Sequence, residues 1–121
     1  MQFSINRQVF IKSLNDVSRA ISSRTTIPIL TNIKIVLSQD ELILTGSNSD
    51  ISIETRIEQS DTSAQLVIGS TGGITLPATF FANIVKNLPA DDLTLAVDGL
   101  RASITSGASA FTINGQDVRN Y

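Results

Sequence analysis

Apolar residues recur along the first third of this chain with the spacing of a helix and then with the spacing of strands. Residues 2–6 (QFSIN) form a short apolar-polar alternation, and Asn6 is a residue type that favours the N-cap of a helix. Phe10, Leu14, Val17 and Ile21 then follow at helical spacing. This pattern predicts a strand at 2–6 and a helix from Arg7 to about Ile21, with one apolar stripe facing a core.

Three strands are predicted after this helix, at 29–38, 41–46 and 50–58. The last of them alternates most clearly, because isoleucines on one side are interleaved with polar and charged residues on the other. Strict alternation of this kind is typical of a strand with one buried and one solvated face. The isoleucines are Ile51, Ile53 and Ile57, and the opposite side carries Ser52, Glu54, Arg56 and Glu58.

The second half of the chain repeats this order of elements. The segments QLVIGS and GGITLP open it, and a second helix is predicted at 79–88, where Pro89 ends it. Strands at 92–98, 100–106 and 108–114 follow, with hairpin turns at Asp98-Gly99 and Ser106-Gly107. The predicted fold is therefore α+β: a duplicated β-α-β-β-β unit whose two helices pack side by side on antiparallel sheets. The buried stripe of the second helix is predicted to be Phe81, Ile84, Val85 and Leu88.

Composition excludes several classes of protein. The chain has 121 residues, enough for one domain, and no apolar run approaches the roughly 20 residues of a membrane-spanning helix. Its N-terminus shows neither the basic nor the apolar region of a secretory signal, so we expect a cytoplasmic protein without membrane contact. Cysteine and histidine are both absent, which removes disulfides, thiolate chemistry and the commonest metal ligand. We therefore expect no metal and no cofactor.

The sequence gives little evidence for a catalytic site. The acidic pairs Asp40-Glu41 and Asp91-Asp92 fall where turns are predicted, and adjacent residues of a strand would face opposite ways. Serine and threonine have no histidine to activate them, and neither Lys34 nor Lys86 has a Ser-x-x-Lys context. The sequence thus favours a binding or structural role over an enzyme, with a small Ser/Lys hydrolase as a remote third class.

Charge becomes informative when it is sorted by element. The net charge is −2, which is unlike a conventional DNA-binding domain. The two predicted helices and the corner after the first one nevertheless hold five basic residues and one acid, whereas the remainder holds four basic residues and ten acids. The five are Arg7, Lys12, Arg19, Arg24 and Lys86. This partition is compatible with an ordinary solvated helix exterior, and it is also what a basic face directed at a polyanion requires.

Several segments of the chain together resemble one known family. They are FSINRQVFIKSLNDVSRAI, SRTTIPILTNIKI, LTGSNSDISIE, GGITLPATFFANIVKNLP and ITSGASAFTINGQD, and their order and spacing extend over the whole chain. On these segments residues 1–121 resemble the N-terminal domain of the bacterial DNA polymerase III beta subunit, the sliding clamp. The resemblance implies a ring of two head-to-tail subunits with three such domains each, in which helices line the hole.

The resemblance also implies two sets of site residues. Arg24 occupies the corner position that reaches the DNA backbone in similar clamps, and Arg7, Lys12 and Lys86 match positively charged helical positions. Thr79 stands where related clamps often carry a basic residue, so that a hydroxyl replaces a charge. The subunit contact of the ring is expected at Phe80, Arg101, Ala108, Ala110 and Ile113. We further expect Phe111 to pack inward while the backbone edge of 108–114 lies on the surface.

The same resemblance implies partners beyond this chain. Double-stranded DNA would be bound through its backbone without sequence preference, and the replicative polymerase and the clamp loader would bind through the second and third domains, which this chain lacks. The function implied is that of a non-catalytic processivity factor in DNA replication. The alternative from the residues alone is an α+β protein-binding module that uses its edge strands. A reading frame that continues for two more domains of similar character would favour the clamp.

Overall fold

The computed structural model describes all residues, 1–121, and contains two α-helices and nine strands in an order close to the predicted one. Two short 3-10 helices, Pro28–Thr31 and Val118–Asn120, complete it. The elements are β1 Gln2–Asn6, α1 Arg7–Ser18, β2 Asn32–Leu37, β3 Glu41–Ser47, β4 Ser52–Glu58, β5 Val67–Ser70, β6 Gly72–Pro77, α2 Ala78–Lys86, β7 Asp92–Asp98, β8 Arg101–Ser106 and β9 Ser109–Asn114.

The strands form two antiparallel sheets, and the two halves of the chain exchange their first strands. One sheet has the order β5-β1-β7-β8-β9 and the other β4-β3-β2-β6. The first strand of the first half, β1, therefore pairs with β7 of the second half, and β6 of the second half pairs with β2 of the first. This reciprocal exchange gives the duplicated unit an approximate two-fold relation. The strand β5 lies outside the repeat, as an added edge strand next to β1.

The two helices lie side by side over one shared core. The ring of Phe10 on α1 meets the ring of Phe81 on α2 edge-on, with centroids 5.8 Å apart, and the ring of Phe3 lies 6.0 Å from Phe10 on its other side. Edge-to-face contacts of this kind add to the stabilisation that burial of aromatic area supplies. A cluster of 24 buried apolar residues joins the helices to both sheets. The predicted helix layer on a sheet layer is confirmed.

Helix α1 ends three residues earlier than its apolar stripe predicts. Beyond Ser18 the chain makes tighter i→i−3 bonds, from Ala20 N to Val17 O and from Ile21 N to Ser18 O. The hydroxyl of Ser18 also donates to Leu14 O at 2.6 Å, a side-chain bond that competes with helix continuation. Ile21 still packs against the core, although it lies outside the helix. Helix α2 is displaced by one residue at its start and ends at Lys86, two residues before Leu88.

Two of the predicted strands begin later along the chain than the sequence pattern indicates. The expected strand at 29–38 begins only at Asn32, because Pro28 opens a 3-10 turn and proline fixes the backbone angle that such a turn needs. Strand β4 begins at Ser52 rather than at residue 50, and Ile51 is 52% exposed. Ile51 belongs to the turn between β3 and β4, where Asn48 N donates to its carbonyl oxygen, so the alternation of isoleucines overstates the strand.

Most residues predicted to be buried are buried. Phe10, Leu14, Val17, Phe81 and Leu88 are at most 3% exposed, and Ile84 is partly buried against the core. The inward packing expected for Phe111 is wrong, because this residue is 44% exposed. It stands opposite buried Ile104 and therefore points to the helix side of the sheet, but β9 is the last strand and nothing beyond it covers the ring.

Tight two-residue turns close the β7–β8 and β8–β9 hairpins. Gly99 has φ +63° between β7 and β8, and Gly107 has φ +57° between β8 and β9. A positive φ at the first turn position is the requirement of a type II′ hairpin turn, and glycine adopts it without steric cost. The predicted hairpins are thus confirmed, with Gly99-Leu100 and Gly107-Ala108 as the turn residues.

The C-terminal segment returns to the β6 edge of the sheet β4-β3-β2-β6. Gln116 pairs with Thr75 of β6 through two backbone bonds, from Thr75 N to Gln116 O at 3.0 Å and from Gln116 N to Thr75 O at 2.9 Å. The ring of Tyr121 lies under the ammonium of Lys34, 5.6 Å from its centroid. Its burial raises the pKa of the Tyr121 hydroxyl, so this hydroxyl remains neutral beyond the usual range of a tyrosine.

Candidate nucleic-acid and subunit interfaces

A groove of about 540 Å³ runs between the two helices on the side opposite to the sheets. Both helices contribute polar side chains to it, and so does the segment after α1. Because α1 and α2 each bury one stripe, their opposite faces are left to solvent and meet here. Thr79 and Lys86, seven residues apart and therefore on one face of α2, line this groove together with Asn15, Ser22 and Ser23.

Arg24 projects from the corner between α1 and the first 3-10 helix. Its backbone N–H donates to the hydroxyl of Ser22 at 3.1 Å, which shapes the corner directly beside the groove. Arg24 is exposed and forms no ion pair. An exposed guanidinium with five donors in a rigid fork can bind phosphate oxygens in pairs.

No ion pair of the chain involves a residue of α1 or α2. Arg56 of β4 pairs with Glu41 of β3 at 2.6 Å and with Glu54 of β4 at 2.9 Å, and Arg119 pairs with Asp117 at 2.7 Å near the C-terminus. None of the five basic residues of the helical layer forms an ion pair with an acidic side chain. The positive potential of the helical face is therefore not neutralised by ion pairs, whereas two of the four basic residues outside this layer, Arg56 and Arg119, are paired with acids.

Arg7 makes contacts that its sequence position does not reveal. Its Nε donates to Ala90 O at 2.9 Å and its Nη1 to Lys86 O at 3.4 Å, so the guanidinium satisfies carbonyl groups at the C-terminal end of α2. Carbonyls at a helix end have no partner within the helix and attract positive charge. Arg7 thus joins the start of one helix to the end of the other, and the structure brings it to the rim of the layer rather than to the groove.

Lys12 lies on the outer flank of α1. It lines a second groove of about 420 Å³ between α1 and β4, together with Asp16, Arg56 and Asp61. Its side chain is exposed, and Arg19 shares the same helical face. The structure therefore brings together Thr79 and Lys86 with the corner of Arg24, and it places Lys12 further out on the same helical layer.

The residues expected at a subunit contact divide into exposed and buried ones. Phe80 is 59% exposed, and Arg101, Ala108 and Ala110 are exposed as well. Ile113 is only 5% exposed because it belongs to the core of this chain, so its side chain is unavailable to a partner without rearrangement. Two of these residues, Ala110 and Ile113, lie on β9, which is an edge strand with one unpaired side, as predicted.

Phe111 is the exposed aromatic residue of this edge that sequence reasoning missed. We expected it to pack inward, but β9 is the last strand of its sheet and nothing beyond it covers the ring. Phe80 lies on the flank of α2 that is turned away from α1, since Thr79, Ala82 and Lys86 occupy the flank facing α1. An edge strand with exposed aromatic residues on its helix side is suited to contact with another protein surface.

Neither interface contains the elements of a catalytic centre. No group of three or more acidic, histidine or cysteine side chains is arranged to hold a metal ion. Neither α1 nor α2 has the length and hydropathy that a membrane-spanning helix requires. The fold and its surfaces define a class: an α+β domain of duplicated units with a basic helical face and a free apolar sheet edge.

Comparison with known proteins identifies the family. The family model described as the DNA polymerase III beta subunit, N-terminal domain, matches residues 1–121, and this chain belongs to that family. The beta sliding clamp of Halalkalibacterium halodurans is 48% identical over 123 aligned positions, which cover 100% of this chain and 32% of that protein. The beta sliding clamp of Staphylococcus aureus is 46% identical and is covered to 33%.

Solved structures agree with this assignment. The DNA polymerase III beta chain of Streptococcus pneumoniae superposes with a TM-score of 0.97 at 42% identity, over 99% of this chain and 32% of that one. The sliding clamp of Bacillus subtilis superposes with a TM-score of 0.95 at 44% identity, over 100% of this chain and 32% of that one. The chain spans about a third of the length of these relatives.

Proposed function

We propose that this chain acts as the N-terminal domain of a DNA sliding clamp, a replication processivity factor without catalytic activity of its own. In this role its helical face binds the backbone of double-stranded DNA without sequence preference. The residues that carry the contact are Arg24, Lys86, Thr79 and Lys12, and Arg7 adds its charge at the rim. The polymerase chemistry belongs to a partner, and no cofactor or metal takes part.

The observation that carries this proposal is the distribution of charge over the two layers. Four of the five basic residues of the helical layer are exposed, Arg7 is half-buried, and none of the five has an acidic partner, whereas the ten acids of the remaining chain lie outside that layer. A ring that encircles DNA needs only weak, nonspecific attraction, because topology prevents dissociation. A strongly basic surface would hold DNA too tightly to slide. A net charge of −2 is compatible with such a protein.

Ring closure is the second part of the proposal. A domain of a partner subunit would contact the β9 edge and the start of α2. The residues at this contact would be Phe80, Arg101, Ala108, Ala110 and the exposed Phe111. Ile113 would support this edge from the core. In the complete protein, the replicative polymerase and the clamp loader would bind through further domains, and the ring would act in the cytoplasm.

A titration of the isolated domain with duplex DNA tests the DNA-binding face. We expect backbone amide shifts at Arg24, Thr79 and Lys86, with a dissociation constant no tighter than the nonspecific level of about 10⁻⁴ M because the chain alone cannot encircle DNA. Two duplexes of unrelated sequence should give equal affinities. The logarithm of the affinity should fall with the logarithm of salt concentration with a slope of about −3, as three to four phosphates are neutralised.

Other results of this titration would contradict the proposed DNA-binding face. Amide shifts confined to the outer faces of the sheets, or a marked preference for one sequence, would contradict the proposed face. An absence of DNA binding at low salt, combined with binding of an unrelated protein at the sheet edges, would favour the alternative of a protein-binding module.

A further inference from the structure

Two polar side chains are buried on the face of the sheet β4-β3-β2-β6 that is turned away from the helices. Along β2 the core residues Ile33 and Ile35 face the helices, so Asn32 belongs to the opposite face of the strand. Asn32 is nevertheless only 4% exposed, and Thr75, which lies between two core residues of β6, is 0% exposed. Both residues therefore depart from the alternation of buried and solvated positions in their strands.

These two side chains are hydrogen-bonded to each other. Nδ2 of Asn32 donates to Oγ1 of Thr75 at 3.0 Å, and both residues are buried. Oγ1 of Thr75 in turn donates to Gln116 O at 3.4 Å, beside the two backbone bonds that join residues 75 and 116. Asn32, Thr75 and Gln116 thus form one chain of hydrogen bonds between the first half of the protein, the second half and the C-terminal segment. Away from water, the members of such a chain depend on one another.

The segment that carries Arg24 contains no buried residue. Residues 22–31, the Arg24 corner, are all exposed or half-buried. Ala20 is the last buried residue before this segment, and Asn32 is the buried residue directly after it. A segment with few buried contacts opens easily, so the position of the Arg24 corner depends on how its two ends are held.

The hydrogen bonds within the Arg24 corner are all local. Arg24 N donates to Ser22 Oγ and Ile27 N donates to Thr25 Oγ1, each at 3.1 Å, and the others also join residues two or three positions apart. These bonds shape the corner but do not attach it to a strand. The attachment is made at its end, where the backbone N–H of Asn32 donates to Ile29 O.

We propose that Asn32 is a positioning residue for the DNA-binding face, which holds the end of the Arg24 corner on the sheet and thereby fixes the position of the Arg24 guanidinium. The backbone N–H of Asn32 closes the 3-10 helix of the corner, and its side chain fastens the same residue to Thr75 of β6. This inference rests on the proposed function, because it concerns how Arg24 is directed toward a phosphate. It adds residues that do not themselves touch DNA.

The register of β2 and β6 places the side chain of Asn32 where the backbone ladder ends. Asn32 lies opposite Pro77, which has no N–H, while the N–H of Asn32 is already bound to Ile29 O. Thr75 lies opposite Lys34 and is therefore the diagonal neighbour of Asn32 on the same face. The bond between the side chains of Asn32 and Thr75 thus supplies a cross-strand link at the point where the Arg24 corner begins.

The same end of the corner borders the groove between the helices. Thr31 directly precedes Asn32 and lines this groove together with Ser22 and Ser23. A shift of Asn32 would therefore move one wall of the groove together with the corner. A loosely held Arg24 keeps its charge, but it has to give up conformational freedom each time it binds a phosphate, and this loss of freedom weakens binding.

Four variants of the 121-residue chain separate positioning from general stability. Asn32→Ala removes the amide, Thr75→Val removes the hydroxyl but keeps the shape of the side chain, and Thr75→Ser keeps the hydroxyl. Ile57→Val is the control, because it removes one buried methyl group on β4, at the opposite edge of the same sheet. Circular dichroism establishes that each variant is folded, and the two substitutions of Thr75 carry the test if Asn32→Ala does not fold.

The first measurement is the backbone order parameter of residues 22–31 by NMR relaxation, without DNA. The parent chain should show values near the rigid limit of about 0.85, and Asn32→Ala and Thr75→Val should show values that fall toward about 0.6 or below. Thr75→Ser and Ile57→Val should retain the values of the parent chain. This measurement reports the anchoring of the corner and does not depend on any ligand.

The second measurement is the affinity for duplex DNA at one low salt concentration. Asn32→Ala and Thr75→Val should bind about two- to tenfold more weakly than the parent chain, the range that corresponds to the net contribution of one hydrogen bond. Arg24→Ala should reduce the affinity less in the Asn32→Ala background than in the parent chain, because the position of Arg24 has already been lost. Thr75→Ser and Ile57→Val should bind like the parent chain.

Two results would overturn the proposal: order parameters that stay at the parent values in Thr75→Val, or unchanged DNA affinity in a variant whose corner has become mobile. An equal loss of affinity in Ile57→Val would also overturn it, since the effect would then follow general stability. Failure of the proposed function has a different signature, because the parent chain itself would not bind DNA. The order parameters would still decide in that case whether Asn32 holds the corner.

Discussion

At the scale of single residues, Arg24 is the clearest candidate for contact with DNA, because its side chain is exposed and has no acidic partner. Arg24→Ala should weaken duplex binding to the same extent for every sequence, and the log–log salt slope should become shallower by about 0.9 for one lost phosphate contact. Fluorescence titration at several salt concentrations measures both quantities. Arg119→Ala is the control: Arg119 is also exposed but lies near the C-terminus, paired with Asp117. A slope that changes only in the control would refute the assignment.

Arg7 combines two roles that a charge-conserving substitution separates. Arg7→Lys keeps the positive charge but loses the fork that reaches Ala90 O and Lys86 O. Hydrogen bonds from a charged donor stabilise by about 1.5–3 kcal/mol, and the partial exposure of this site places the expected loss of unfolding free energy near 1 kcal/mol. Denaturant unfolding measures this loss. The salt slope for DNA should remain unchanged, and a change in slope without a change in stability would show that the contacts to α2 are unimportant.

At the scale of elements, the position of α1 depends on the absence of a side chain in β3. A Cβ atom at Gly46 would overlap with the carbonyl group of Val17, which is backbone and cannot rotate away. Gly46→Ala should therefore force α1 outward and lower the free energy of unfolding by about 1–3 kcal/mol, the usual cost of overpacking. Gly69→Ala is the matched control, because the nearest atom there is 3.3 Å away. Equal stability of the two variants would contradict this close packing.

The C-terminal 3-10 helix carries the pH dependence that the structure predicts. The side chain of Arg119 donates to the carboxylate of Asp117 and lowers the pKa of Asp117 from 3.8 to about 2. A lowered carboxylate pKa means that this contact stabilises the segment above pH 3.8 and is lost as the pH falls through about 2. NMR titration should show the pKa of Asp117 rising toward 3.8 in Arg119→Ala. An unchanged pKa in this variant would show that the backbone N–H of residue 119 alone is responsible.

At the scale of the whole molecule, the exchange of first strands makes the two halves interdependent. Each sheet needs a strand from the other half, β1 in one case and β6 in the other. The fragments 1–65 and 66–121 should therefore be unfolded separately and should recover strand and helix signals by circular dichroism when they are mixed. A fragment that unfolds cooperatively by itself would show that the halves are independent units, and an unexchanged arrangement would then be favoured.

The sequence by itself determined the elements of this protein. Helices, hairpins and their order follow from apolar spacing, from Asn6, whose side chain accepts from Val9 N at 3.1 Å, and from glycines in tight turns. These are interactions between residues close in the chain, so a local pattern records them. The partition of charge is equally visible, because it requires only the assignment of each residue to a helix or a strand. The family resemblance rests on the same order and spacing.

Only the tertiary structure decided which residues meet across the chain. Three features join segments that are distant in the chain. They are the exchange of β1 and β6, the contacts of Arg7 with carbonyls 79 and 83 positions away, and the close approach of Val17 to Gly46. Alternation places Phe111 on the helix side of its strand, but whether anything covers it depends on the strand order of the sheet. A residue's own neighbours specify its face. Its exposure, and therefore its availability to DNA or to another chain, is set by elements that the sequence places far away.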